Sequence, residues 1–321
     1  PYMNFKRLTF ENSQGQKLAA RLDLPIDSAP IAYALFAHCF TCTKNLKAVG
    51  NISSALNQQG IAVLRFDFTG LGESEGDFGD TNFSSNIDDL VDAAAFLEKT
   101  FEAPKILIGH SLGGAAVLQV ATRLESIKAV ATIGAPYDPG HVQHLFQRSL
   151  VEIERTGEAV VLLAGRPFSI EMQFIDVLEA LRAGANRAEL RRERRILGSP
   201  VDTTVDVENA RLIYEAAKHP KSYISLDRAD HLLSDEMDSL YAGSVLAAWV
   251  RKYIGTPQEE VKHPDPADNR IVAHIGRDHY RTEILANGHA LRSDEPRSLG
   301  GSNTGPTPYD LLVAGLGACT A

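Results

Sequence analysis

Reactive chemistry in this chain concentrates in Gly109-His110-Ser111-Leu112-Gly113, between the apolar run Lys105–Ile108 and a helical pattern opening at Gly114. A serine on so tight a strand-to-helix turn takes a strained backbone, and flanking glycines remove the side chains that would collide there. Its hydroxyl then stands clear of the sheet, while the helix N-terminus behind it favours negative charge developing on a bound carbonyl oxygen. Ser111 is therefore the candidate nucleophile. A serine hydroxyl needs a base, and the base needs an acid to fix its tautomer. Among ten histidines, His231 follows the last strand pattern and opens the last helix, which puts it on the sheet edge that carries Ser111. Asp202 ends a strand candidate ahead of another helix and is the candidate acid, with Asp206 and Asp230 as rivals. An oxyanion hole needs two backbone N–H donors. Leu112, the residue after the nucleophile, supplies one, and Phe40, in the loop His38–Cys42, is the candidate for the other. This chemistry calls for no cofactor and no metal.

Two other clusters carry less. Cys39 and Cys42 have CxxC spacing, but no second ligand pair accompanies them as a zinc site would require. His141 and His144 share a helical face without a third ligand, which reads as a solvated helix.

Positioning these residues requires a sheet. Strand patterns fall at Leu18–Leu24, Ile31–His38, Ile61–Asp67, Lys105–Gly109, Ala129–Gly134 and Ser222–Asp227, several continuously apolar as in strands covered on both faces. Helical patterns alternate with them at Leu46–Gln58, Asn86–Lys99, Leu112–Arg123, Glu208–Ala217 and Ser234–Tyr253. Such alternation predicts an α/β fold with a doubly wound, mostly parallel sheet. The rhythm breaks from 136 to about 190, where an insertion with a hairpin-like apolar segment predicts a cap. Residues 1–254 thus read as one domain with its cap, 255–269 as a proline- and charge-rich linker, and 270–321 as a partial second domain. In that last part Asn287-Gly288 signals a hairpin, and Thr307-Pro308 signals the start of a helix.

Composition narrows the class. The formal net charge of −9 argues against nucleic-acid or membrane-surface partners. No apolar run approaches the roughly 18 residues of a membrane span. Three cysteines are too few for a disulfide scaffold and odd in number, which predicts a reducing, cytoplasmic setting. The absence of an initiator Met predicts a processed or engineered terminus.

Taken together, His38–Cys42, the turn Asp67–Ser74, the elbow at Ser111, Asp202–Val205 and Asp230-His231 resemble α/β-hydrolase-fold serine esterases over about residues 15–255. The order Ser111, Asp202, His231 is that of the fold. The resemblance implies hydrolysis of a small-molecule carboxylic ester through a Ser-His-Asp triad and an acyl-enzyme. Where the family has an apolar strand leading to the acid, this sequence has Arg191–Arg195, so that strand is expected to be short, edge-like or shifted in register. The tail is similar to the N-terminal part of OsmC-like proteins through Gly288-His289, Asp294–Pro296, Gly300-Gly301, Gly305–Tyr309 and Leu316–Thr320. That resemblance puts Cys319 where the family keeps its peroxide-reactive cysteine, with the rest of the OsmC-like domain missing on the C-terminal side. It also implies a homodimer through the C-terminal segment. Two alternatives follow: a thiol peroxidase with a scaffold hydrolase domain, or a non-enzymatic binding module.

Overall fold

The structure, a computed structural model, describes residues 4–25, 29–39, 42–79, 81–138, 149–163, 166–171, 193–254, 271–275, 280–287 and 289–320. The chain packs as two units, Pro1–Thr256 and Pro257–Ala321. The predicted linker and much of the predicted cap lie outside the described residues.

The first unit is built on an eight-stranded sheet. Its strands are β1 (Asn4–Glu11), β2 (Lys17–Leu24), β3 (Ala32–Ala37), β4 (Ile61–Phe66), β5 (Ile106–His110), β6 (Ala129–Ile133), β9 (Glu193–Gly198) and β10 (Lys221–Ser225). They run in the order β1-β2-β4-β3-β5-β6-β9-β10. Strands β4 to β10 in that order are mutually parallel, and the β1–β2 pair is antiparallel at one edge. Alternation along β3 shows why the sheet is covered twice. Tyr33, Leu35 and Ala37 join the core under one helix layer, while Ala32, Ala34 and Phe36 join the core under the other.

Helices α2 (Phe83–Thr100) and α3 (Leu112–Val120) form the first layer, burying Phe83, Ile87, Leu90 and Val117. Helices α1 (Lys47–Gln58) and α6 (Glu236–Ile254) form the second, burying Val49, Ile52, Leu246 and Val250. Each such aliphatic side chain contributes roughly 1.5–3 kcal/mol on burial. Helix α5 (Glu208–Ala216) adds Ala210 and Ile213 beside Ile196 of β9. Helix α2 begins one turn before the predicted Asn86, because Asn82 and Ser85 close a capping box: Ser85 N donates to Asn82 Oδ1 at 3.0 Å and Asn82 N to Ser85 Oγ at 2.9 Å.

Between β6 and β9, the described part of the insertion holds α4 (Leu150–Thr156) and the hairpin β7 (Glu158–Leu163) with β8 (Arg166–Glu171). Ile153, Ala159 and Val161 are buried in the first core layer, so this segment is docked on the sheet domain.

Strand β9, over Glu193–Gly198, is neither short nor edge-like: its six residues lie inside the sheet between β6 and β10, which have five each. It tolerates arginines because Arg195 lays its guanidinium over the Trp249 ring, 5.3 Å from the centroid, and Ile196 and Leu197 are fully buried.

In the second unit, β11 (Ile271–Ile275), β12 (Thr282–Ala286) and β13 (His289–Ser293) form an antiparallel sheet. Asn287 takes φ +48 at the predicted hairpin turn. Asp294 organises the glycine-rich loop that follows, accepting from Ser302 N, Thr304 N and Thr304 Oγ1 at 3.1, 2.9 and 2.8 Å. Helix α7 (Pro308–Thr320) is capped by Thr307, whose Oγ1 accepts from Asp310 N at 3.1 Å. Among the described residues no helix is long and apolar enough to cross a membrane.

Candidate active site

Ser111 sits at the junction of β5 and α3 with φ +55 and ψ −127, a left-handed conformation that L-residues rarely adopt. The turn is held on both sides. Ser111 N donates to the Ile133 carbonyl of β6 at 2.9 Å, and Gly114 N donates to the Ser111 carbonyl at 2.8 Å. Glycine is obligatory around it: a Cβ on Gly109 would lie 2.3 Å from the Gly113 carbonyl oxygen, and one on Gly113 2.4 Å from that of Ala37.

The side chain reaches His231, which lies in the loop between β10 and α6, five residues before the helix begins. Ser111 Oγ is 2.9 Å from His231 Nε2, and His231 Nδ1 is 2.8 Å from Asp202 Oδ2. A carboxylate can only accept, so Nδ1 carries the proton and Nε2 accepts from the serine hydroxyl. Asp202 lies in the loop after β9. Its Oδ1 accepts from Thr204 N and Val205 N at 2.8 and 2.9 Å, which leaves Oδ2 aimed at the imidazole. Burial alone would raise the Asp202 pKa; the hydrogen bond from His231 and those from Val205 and Thr204 outweigh it and hold it below the usual carboxylate range. Gly134, at φ +51, keeps the junction open: a Cβ there would stand 3.3 Å from Asp202 Oδ2.

Both rival acids are otherwise engaged. Asp206 Oδ1 accepts from Glu208 N at 2.8 Å at the start of α5, and Asp230 Oδ1 from Ser234 N at 2.8 Å.

Leu112 is the first residue of α3, so its N–H has no partner within the helix and is available to an oxyanion. Phe40 lies outside the described residues. The loop that carries it is anchored by residues that the sequence did not single out for this purpose. Beyond β3, Lys44 is buried, and its N–H donates to Asp67 Oδ1 at 2.6 Å and its Nζ to Oδ2 at 2.5 Å. Arg65 of β4 donates from Nη1 to the Lys44 carbonyl at 2.6 Å, and Asp23 of β2 holds Arg65 Nε at 2.7 Å. Gly72 closes over Asp67, where a Cβ would fall 2.3 Å from Oδ2. The available signal was Arg65 and Asp23 inside apolar strand patterns: a charge buried there requires a partner.

Cys39 and Cys42 pair as a disulfide across this loop, their Cα atoms 5.2 Å apart. His38 is buried beside them and donates from Nδ1 to the Cys39 carbonyl at 2.8 Å. Burial foremost lowers its pKa, against the raising effects of that bond and of Asp67. Cys319 is exposed and free on α7 of the second unit. Of the histidine pair, His141 and His144 lie outside the described residues, and among the described residues no cluster of three or more His, Cys, Asp or Glu could hold a metal.

Known proteins resemble this chain in sequence or in fold. The family described as serine aminopeptidase, S33, matches residues 36–156. The mouse mitochondrial palmitoyl-protein thioesterase ABHD10 is 32% identical over 116 residues, 35% of this chain and 38% of that one. An uncharacterized protein of Rickettsia prowazekii is 29% identical over 120 residues, 36% of this chain and 48% of that one. The chain thus spans less than half the length of these curated relatives. Est1E of Butyrivibrio proteoclasticus, solved with ferulic acid, shares the fold at 19% identity and a TM-score of 0.63, over 78% of this chain and 100% of that one. The crystal structure of the esterase domain of a Rhodothermus marinus protein is 53% identical, with a TM-score of 0.65, covering 79% of this chain and 100% of that one. Sharing more than half of its aligned residues with that domain along the domain's whole length, this chain belongs to the α/β-hydrolase family.

Proposed function

We propose that the first unit is a serine esterase in which Ser111, His231 and Asp202 act as nucleophile, base and orienting acid. The observation that carries this reading is the unbroken hydrogen-bonded series Ser111 Oγ–His231–Asp202 at the N-terminus of α3. In the reaction, Ser111 attacks the acyl carbonyl while His231 Nε2 takes the hydroxyl proton. Asp202 stabilises the imidazolium, and the Leu112 N–H, with Phe40 as second donor, binds the oxyanion. His231 returns its proton to the leaving alcohol. Water, deprotonated by the same imidazole, then cleaves the acyl-enzyme and regenerates Ser111. The similar esterase domain supports a carboxylic ester as substrate, whereas the mouse relative's name points to a thioester, and one triad serves both.

A fluorophosphonate probe should label wild type, and Ser111→Ala should abolish both labelling and p-nitrophenyl ester turnover, a loss on the order of 10⁴-fold or more. Turnover surviving in Ser111→Ala would sink the reading. A panel of esters and thioesters graded by acyl length then decides between the two substrate classes.

For residues 270–321 we infer an OsmC-like origin and self-association through α7, whose Tyr309, Leu312, Val313 and Leu316 are exposed. The peroxidase alternative would draw on Cys319, free and exposed on α7, since Cys39 and Cys42 are paired with each other; loss of thiol-dependent hydroperoxide consumption in Cys319→Ser would support it.

A further inference from the structure

His110 stands between Gly109 and the candidate nucleophile and takes no part in the proton path just described. It is buried, only 3% exposed, at the C-terminal end of β5. Its Nε2 lies 2.6 Å from the backbone carbonyl oxygen of His231, and the two imidazole rings pack with centroids 5.1 Å apart. A carbonyl can only accept, so His110 Nε2 carries a proton and donates it.

We propose that His110 is a positioning residue that fixes the base loop to the nucleophile elbow through this side chain-to-backbone bond; the proposal rests on the serine-esterase reading above. The need for such a tie follows from where His231 sits. The loop from 226 to 235 joins β10 to α6, and its internal hydrogen bonds, Ala229 N to Leu226 O, Leu233 N to Asp230 O and Ser234 N to Asp230 Oδ1, do not reach the His231 carbonyl. Asp202 and Ser111 hold the imidazole, but neither holds the main chain that carries it. His110 closes a short cycle: one peptide bond to Ser111, one hydrogen bond to the His231 backbone, and the His231 ring back to Ser111 Oγ. A base held at both ends keeps its attack geometry as charge develops, and loss of such alignment reduces the rate without weakening binding.

The environment keeps His110 in the donor form. Burial, and next the charge of His231, pull its pKa down to about 3, against the opposing bond to the His231 carbonyl and the charge of Asp202, with His38 also facing it. His110 therefore stays neutral while His231 cycles through its imidazolium and adds no second positive charge against that step.

Two variants of matched polarity separate positioning from packing. The amide of His110→Gln reaches the His231 carbonyl, whereas that of His110→Asn, one methylene shorter, does not. The expected result is kcat on a p-nitrophenyl ester within about threefold of wild type for His110→Gln, and a fall of roughly tenfold to a hundredfold for His110→Asn with KM unchanged. Fluorophosphonate labelling rates should follow the same order. Equal activity in both variants, or equal impairment of both, would overturn the proposal. Should neither variant fold, wild type alone still tests it. Nitrogen-15 spectra should show His110 as the Nε2–H tautomer from pH 8 to about pH 4, near the end of its neutral range. An imidazolium or the Nδ1–H tautomer there would overturn it. A wild-type protein that neither takes up the probe nor turns over esters would refute the esterase reading instead, and the spectra would still report on the His110 bond.

Discussion

Histidines that remain neutral in the folded state leave a mark on stability that their hydrogen bonds alone do not reveal. His110, with a pKa near 3, and His38, lowered chiefly by burial, refuse protons that the unfolded chain accepts at its ordinary value near 6.5. Below that value the unfolded state binds more protons, so stability falls as pH falls, and the loss continues until the folded-state pKa is reached. Between pH 7 and pH 5 the His110 share amounts to about 2 kcal/mol, set almost wholly by the unfolded-state value because the folded one lies well below the window. Asp202 acts in the same direction in a different window. Its depressed pKa makes its contribution complete above about pH 4 and lost only as pH falls further. Urea unfolding of wild type at pH 7 and pH 5 should show the drop, and His110→Gln should show it reduced by about 2 kcal/mol. Identical pH dependence in the two proteins would mean that His110 is protonated in the folded state.

At the scale of elements, the two helices behind the sheet meet more closely than side chains normally allow. Gly243 of α6 faces α1, and a Cβ there would lie 2.8 Å from Ala55 Cβ and 2.9 Å from Ile52 Cα. Gly243→Ala gains about 1 kcal/mol of helix propensity, but the backbone contact must give, at about 1–3 kcal/mol. A lower urea midpoint with unchanged kcat per folded molecule is the expected outcome; an unchanged or raised midpoint would show that α1 and α6 can part without cost. Much of this architecture was legible in the sequence because β3 to β6 are buried on both faces and therefore read as continuous apolar runs. Strand β1 was not, since it lies at the edge and exposes most of its residues. Strand β9 was only partly legible because arginines occupy positions that packing on Trp249 makes tolerable. Ser111, Asp202 and His231 stood out by punctuating strand ends. Lys44, Asp67, Arg65 and Asp23 did not, since their pairing joins residues 21 to 42 positions apart. His110 read only as the variable position of a motif until a carbonyl 121 residues away supplied its partner.

For the whole molecule, the division into two units carries a functional consequence. Ser111, His231, Asp202, His110 and the network around Asp67 all lie in Pro1–Thr256, and both large core layers are made of residues from that unit. The related esterase domain is matched along its full length by 79% of this chain. Residues 257–321 supply their own sheet and loop organiser, Asp294, and an α7 with no buried residue. With the candidate site and both large core layers formed by first-unit residues, removing the second unit is expected to change stability or turnover by no more than about 0.5 kcal/mol, roughly a factor of two. A chain ending at Thr256 should therefore fold and keep kcat/KM within about twofold of the full chain. It should also lose whatever self-association light scattering detects in the full chain, because exposed Leu312 and Leu316 go with the removed unit. The charged pair Leu312→Asp and Leu316→Asp in the full chain should reproduce that loss without touching turnover. A tenfold or larger fall in kcat/KM on truncation, with the fold intact, would instead mean that the second unit completes the site.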